Sequence, residues 1–271
     1  MLKSIKILSL IIILCTYSSA QNETINIWPG LAPGTENREN TEHKDGNNVV
    51  EVYQPDLTIM LPDNPDSKKP AIMVFPGGGY NKVVMKKEGY DIGKWFNDHG
   101  VAAFILKYRL RPDEALADAQ RALSLVRQNA GKYNIDPDKI GVIGFSAGGH
   151  LAANISTHYN KEEMNDKIDS VSCKPDYEIL VYGAGRQFID DIDEDTPPTF
   201  LVHAGDDSKV PVTFSVNFYL KLKEENVPAE MHIYEQGEHG FALVPERGYV
   251  YSWGERCIDW LKIRGILAET K

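Results

Sequence analysis

Short, uninterrupted apolar runs closed by glycine or proline alternate along this chain with longer stretches whose apolar positions recur every three to four residues. Ala71-Ile72-Met73-Val74-Phe75 is too short for a helix and stops at Pro76-Gly77-Gly78-Gly79, which predicts a buried strand with a loop at its carboxyl end. Ile140-Gly141-Val142-Ile143-Gly144 repeats that pattern and is followed by a predicted helix from Ala147. Further strands are expected at Val101–Lys107, near Tyr177–Tyr182, at Thr199–Ala204 and at Ala229–Tyr234. Helical spacing covers Glu88–His99, and Asp113–Tyr133 places Ala115, Ala119, Ala122, Val126, Ala130 and Tyr133 on one face, with Gly131 marking a fraying end. Residues 212–225 and about 249–263 complete the helices. Val49–Leu61 reads as extended, and residues 21–48, punctuated by Trp28-Pro29-Gly30 and Pro33-Gly34, read as an irregular arm packed on the domain. Strand and helix alternate, so residues 49–271 are expected to form one α/β domain, a mostly parallel central sheet with helices on both faces. Chemistry in such sheets gathers at the carboxyl ends of the strands.

The first twenty residues stand apart. Lys3 and Lys6 precede the apolar run Ile7–Leu14, and Ser18-Ser19-Ala20 offers small residues to a signal peptidase, so residues 1–20 read as an export signal. Lipid modification at Cys15 is the less favoured reading, because bulky Leu14 precedes it. Without that segment 27 basic side chains face 39 acidic ones, a net charge of −12, which argues against nucleic acid as a partner. At 42% hydrophobic and 25% charged, 271 residues are ample for a buried core and exclude a collagen, a coiled coil or a disordered tail. Cys173 and Cys257 are left either to bridge or to stay reduced. No Cys-x-x-Cys or His-Glu-x-x-His spacing occurs, and neither a metal nor a cofactor is expected.

Gly144-Phe145-Ser146-Ala147-Gly148 fits Gly-x-Ser-x-Gly between a strand and a helix. A serine hydroxyl attacks only when held out from the backbone toward a base, and a sharp strand-to-helix turn does this where flanking glycines let chains approach. The N–H of Ala147, at the start of the helix, is free to stabilise an oxyanion. Gly78 and Gly79 supply a second set of exposed amides. A phosphate loop is the alternative there, but no Gly-Lys-Ser/Thr follows, and Gly183-Ala184-Gly185 lacks the third glycine of a dinucleotide fingerprint. His99, His150, His158, His203 and His232 fall within strands or helices and His43 in the arm. That leaves His239, in a glycine-flanked loop after a strand, as the candidate base. The orienting carboxylate should follow Thr199–Ala204, where Asp207 is preferred to Asp206.

The order Ser, Asp, His resembles that of the α/β-hydrolase family, and more narrowly the exported bacterial esterases called acetyl xylan esterase-like. The matching pieces span nearly all of residues 21–271: Trp28-Pro29-Gly30, Phe75-Pro76-Gly77-Gly78-Gly79-Tyr80, Glu88-Gly89-Tyr90, Leu106–Leu110, Asp118–Ala122, Ile140–His150, Val202–Asp207 and Gly237–Phe241. The resemblance places the acid on Asp207 and the base on His239. The segment from Tyr182 to Pro197 is shorter than its family counterpart, which implies a minimal lid.

The resemblance implies an exported serine esterase removing acyl groups, in particular acetyl, from a polysaccharide such as xylan, with Tyr80 beside the amide loop as a sugar contact or cleft wall. An exopeptidase-like hydrolase using Asp190, Asp191, Asp193, Glu194 and Asp195 as an amine clamp stays open, as does a non-catalytic carbohydrate-binding protein. The acyl group, the sugar and the oligomeric state are not written in local spacing.

Overall fold

The computed structural model describes residues 23–63, 67–159, 170–183 and 185–268; the expected signal segment and Cys15 lie outside them. Along the chain run β1 (Glu23–Asn26), β2 (His43–Asp45), β3 (Asn48–Val50), β4 (Asp56–Met60), β5 (Lys69–Phe75), α1 (Asp91–Asp98), β6 (Ala102–Lys107), α2 (Pro112–Gln128), α3 (Ala130–Tyr133) and β7 (Ile135–Phe145). After them come α4 (Ala147–Thr157), β8 (Glu178–Val181), β9 (Thr199–Ala204), α5 (Thr213–Glu224), β10 (Ala229–Tyr234) and α6 (Trp253–Ile263).

An eight-stranded sheet forms in the order β1-β4-β6-β5-β7-β8-β9-β10, with β2 and β3 as a separate hairpin. From β6 to β10 all neighbours are parallel, and β1 and β4 add an antiparallel edge. Every residue of β6, β8 and β9 is buried, as expected where helices cover both faces of a parallel sheet. The chain leaves β5 to pair β6 on one side, then crosses back to pair β7 on the other. This reversal opens a crevice above the carboxyl ends of β5 and β7, where an open α/β sheet binds its ligands.

Four elements differ from the sequence expectation. The arm is not wholly irregular: Glu23–Asn26 pairs with Ile59–Asp56 and extends the main sheet. The helix expected from Glu88 begins as a π-turn over Lys86–Tyr90 before α1 continues it. The long helix over 113–133 breaks at Asn129, whose main-chain N–H and side-chain amide both donate to the Leu125 carbonyl. The last helix starts at Trp253 rather than near 249. Residues Pro245–Ser252 form a 3₁₀ segment kinked at Gly248, and the Trp253 indole N–H is fixed to the Ala242 carbonyl at 2.7 Å.

The arm is held by a buried ionic knot rather than by apolar contact alone. Asp118, fully buried on α2, accepts the Trp28 indole N–H at 2.9 Å and two bonds from the Arg109 guanidinium at 2.8 and 2.9 Å. Arg109 also donates to the Pro33 carbonyl, while Arg121 donates to the Ile27 carbonyl at 3.0 Å and lies over the Trp28 ring. Charges this deep are tolerated because each is paired and its remaining hydrogen-bond capacity is used. Cys173 and Cys257 are buried free thiols, not a bridge.

Glu178 on β8 carries the clearest stability prediction. It is fully buried, its Oε2 accepts the Thr199 hydroxyl at 3.0 Å, and burial pushes its carboxyl up from 4.5 to about 7. The folded chain therefore holds this proton more tightly than the unfolded chain, so stability falls as pH rises through the window between those values, by roughly 3 kcal/mol. Glu178→Gln should remove that slope. Denaturant unfolding at pH 5 and pH 8 checks it, and an unchanged slope in the variant would refute the assignment.

Candidate active site

β7 delivers Ser146 to the crevice in a backbone conformation that few side chains accept, φ 52° and ψ −114°. The turn is possible because two positions lack a Cβ. One added at Gly144 would meet the Gly148 carbonyl oxygen at 2.1 Å, and one at Gly148 would meet the Phe75 carbonyl oxygen at 1.9 Å. α4 thus starts hard against the ends of β5 and β7, with the Ser146 hydroxyl at its amino terminus and partly accessible.

β10 ends at Tyr234, and the loop beyond it brings His239 back over the sheet. The Ser146 hydroxyl donates to His239 Nε2 at 2.8 Å, and His239 Nδ1–H donates to Asp207 Oδ2 at 2.7 Å. This second bond fixes the proton on Nδ1 and leaves Nε2 free to accept. Asp207 follows β9 with its side chain fully shielded from solvent. Burial alone would raise its pKa, but the Val210 N–H, the His239 ring and the Lys209 N–H outweigh this and hold the carboxyl below its ordinary value. Its Oδ1 accepts both amides, at 2.8 and 2.9 Å. Neighbouring Asp206 does other work: it accepts the N–H groups of Gly237 at 3.0 Å and Glu238 at 2.7 Å, bracing the loop that carries His239.

Ser146, Asp207 and His239, separated by up to 93 positions in the chain, are brought into one hydrogen-bonded row. The N–H groups of Gly78, Gly79 and Ala147 meet no acceptor among the described residues. Such a row can transfer a proton from a hydroxyl to an imidazole as the oxygen attacks, and free amides at a helix start and in a glycine loop can receive the negative charge that develops. Among the described residues no cluster of three or more acidic, histidine or cysteine side chains is placed to hold a metal.

Two histidines that sequence position relegates to packing lie in the site's surroundings. His203, fully buried on β9, faces two acceptors with Nε2, Asp207 Oδ2 at 3.2 Å and the Val210 carbonyl at 3.0 Å, and therefore carries its proton there. Its Nδ1 accepts the Ser215 hydroxyl at 2.8 Å. Burial lowers its pKa, so it serves Asp207 as a neutral second donor. The sequence signal was its place four residues before Asp207. His150, one turn into α4, binds the Tyr80 hydroxyl through Nδ1 at 2.8 Å and packs edge-on against Phe188. Burial lowers its pKa as well. Tyr80, His150 and Phe188 so form one aromatic cluster between the amide loop and α4, with Phe188 carried by the 3₁₀ segment Gly185–Asp191.

The chain matches the BD-FAE family over residues 57–182 and the prolyl oligopeptidase family over residues 182–262. The acetyl ester-xyloside bifunctional hydrolase of Caldicellulosiruptor lactoaceticus superposes with a TM-score of 0.78 at 34% identity, covering 91% of this chain and 97% of that one. With this site on this sheet, the chain belongs to the esterases of the α/β-hydrolase family. Within that family it is of the acetyl xylan esterase-like kind. It is 28% identical over 249 residues to an acetylxylan esterase of Xylanibacter ruminicola and 29% identical over 269 residues to endo-1,4-beta-xylanase B of Butyrivibrio fibrisolvens, covering 79% and 86% of this chain. It spans 49% and 40% of the length of those two relatives.

The two aspartates should separate cleanly. Asp207→Asn leaves the shape but removes the preference for the Nδ1 tautomer, and kcat on a short aryl ester is expected to fall by about three to four orders of magnitude. Asp206→Ala loosens the loop and should cost roughly tenfold or less. Equal losses would place the orienting role on the loop as a whole.

Proposed function

We propose that this protein is an exported serine esterase that removes acetyl groups from xylan or a closely related polysaccharide. The observation that carries the reading is the hydrogen-bonded row from Ser146 through His239 to Asp207, set beside the unclaimed amides of Gly78, Gly79 and Ala147. His239 Nε2 takes the Ser146 proton as Oγ attacks the ester carbonyl, and the amides stabilise the tetrahedral oxyanion. The protonated imidazole then gives its proton to the departing sugar hydroxyl, leaving acetyl-Ser146. Water, deprotonated by the same nitrogen, attacks the acetyl carbon and releases acetate. Losing one amide donor should cost about 3 kcal/mol of transition-state stabilisation.

The substrate class rests on the relatives named for acetyl ester, acetylxylan and xylan chemistry. The aromatic cluster of Tyr80, His150 and Phe188 gives a sugar ring a surface to stack on, with Tyr80 as the sugar contact. Export rests on the signal-like first twenty residues; no helix among the described residues is long and apolar enough to cross a membrane.

The match to the prolyl oligopeptidase family favours a second reading, peptide-bond cleavage. Against it, three of the five acids that would clamp a substrate amine are engaged in their own contacts. Asp195 pairs with Lys174 at 3.3 Å, Asp191 lies 3.8 Å from His158, and Asp193 accepts bonds within its turn.

Acetate release from acetylated xylan by the wild type and by Ser146→Ala tests the proposal, with feruloylated xylan, a short aryl acetate and an aminoacyl amide in parallel. Release lost in the variant is the expected result. Turnover of the aryl acetate alone would retain the esterase and discard the polysaccharide, and turnover of the amide alone would establish the second reading.

A further inference from the structure

Glu88-Gly89-Tyr90 is a motif of the resemblance that takes part in neither the hydrogen-bonded row, nor the amide loop, nor the buried knot of Trp28, Arg109 and Asp118. It lies in the π-turn, where Tyr90 N–H reaches back five residues to the Met85 carbonyl at 2.8 Å. Such turns are rare and cluster at functional sites, because widening the helix by one residue re-aims the side chains on it. Here two adjacent side chains are re-aimed toward the crevice.

Glu88 is buried, with 4% of its surface exposed. Its Oε2 accepts the Gly77 N–H at 2.8 Å, and its Oε1 accepts the Tyr182 hydroxyl at 3.0 Å. Gly77 opens the loop that presents the Gly78 and Gly79 amides, and a Cβ there would stand 2.8 Å from Glu88 Oε2 and 3.1 Å from Ser146 Cβ. The carboxylate thus sits one residue's width from the nucleophile without touching it. Tyr182, just past β8, is held at φ 41°, and its hydroxyl oxygen accepts the Ala242 N–H at 3.2 Å. Its ring stands edge-on to His239 and Phe241 at 5.0 and 4.6 Å. Lys87 completes the arrangement by donating from Nζ to the Gly240 carbonyl at 2.8 Å, one residue beyond His239.

We propose that Glu88, with Lys87, is the positioning element of the site, a bracket that sets the amide loop and the His239 loop at a fixed distance across Ser146. The proposal rests on the serine-esterase reading. Both carboxylate oxygens are needed: each binds a donor belonging to a different loop, and an amide side chain has an acceptor for only one of them. The bonds to Gly77 and Tyr182 are charge-assisted and shielded from water, so they hold position far better than surface contacts. Neither Glu88 nor Lys87 reaches a reacting atom. Their effect falls on the geometry of the step, in which a displacement of about 1 Å costs roughly a hundredfold in rate.

The test compares wild type, Glu88→Gln, Tyr182→Phe, Lys87→Met and the Glu88→Gln/Tyr182→Phe double variant, each well below its melting midpoint. The readouts are the rate at which a fluorophosphonate modifies Ser146, followed by intact mass, and kcat and KM on a short aryl acetate. Glu88→Gln should slow labelling and kcat by roughly 10- to 100-fold with KM within about threefold. Tyr182→Phe and Lys87→Met should each cost roughly 3- to 10-fold, and the double variant should be no slower than about twice the slower single, because both act through one bracket. Rates within about twofold of wild type in Lys87→Met and Tyr182→Phe would overturn the proposal, even if Glu88→Gln failed to fold. So would a loss confined to KM, or one that disappears on cooling. A wild type that fails to label would instead overturn the serine-esterase reading, and the bracket with it.

Discussion

Three backbones meet at the carboxyl end of β5 and β7 closer than any side chain permits, and the arrangement of the site follows from that contact. Because Gly148 lies against the Phe75 carbonyl and Gly144 against the Gly148 carbonyl, α4 must start immediately where β7 stops. No room remains for a relaxed connection, so Ser146 takes the positive φ that projects its hydroxyl out of the turn. The same closeness leaves the start of α4 beside the glycine loop after β5, with Gly148 against the Phe75 and Pro76 carbonyls and Gly77 against Ser146. The sheet's change of direction between β6 and β7 supplies the crevice into which all of this opens.

Around that turn, polar groups are held by neighbours whose own valences are filled. Asp207 is the clearest instance: two amides from its own turn take one oxygen, and two imidazoles share the other. With four donors on it, this shielded carboxylate stays ionised, and an ionised acceptor facing Nδ1 is what leaves the His239 Nε2 lone pair toward Ser146. Asp206, adjacent in sequence, points the other way and braces the loop of the imidazole. Two consecutive aspartates thus divide orientation of the ring from support of its backbone.

The segments that flank the sheet are fixed by contacts of their own. The arm is drawn down on one flank by Trp28, Asp118 and Arg109, a buried knot in which every charge has a partner. After β8 the chain forms a 3₁₀ segment over Gly185–Asp191, and Phe188 packs on His150 and His158. The resulting cluster is aromatic and amphipathic, with the Tyr80 hydroxyl and the His150 ring as its polar groups.

Periodicity and punctuation were enough to read the alternation of strands and helices, the parallel sheet, and the end of the sheet on which to look. They also marked Ser146, His239, Gly78, Gly79, Ala147 and the pair Asp206 and Asp207 as candidates, because glycines at fixed offsets in a strand-turn-helix and a glycine-flanked loop after a strand are local patterns. What depends on side chains meeting across the sheet was not legible. His203 and His150 looked like packed residues because their partners come from another loop and another strand. The antiparallel pairing of Glu23–Asn26 needed β4 to be in place, and the choice between Asp206 and Asp207 needed the direction of each side chain after the turn. The π-turn at Lys86–Tyr90 follows helical spacing in sequence, and only the buried acceptors and donors at Gly77, Tyr182 and Gly240 make the widened turn worth its strain. Sequence marked the alternation of strands and helices and the candidate residues for chemistry. Tertiary contact decided their distances, because a hydrogen bond between residues far apart in the chain has no local signature.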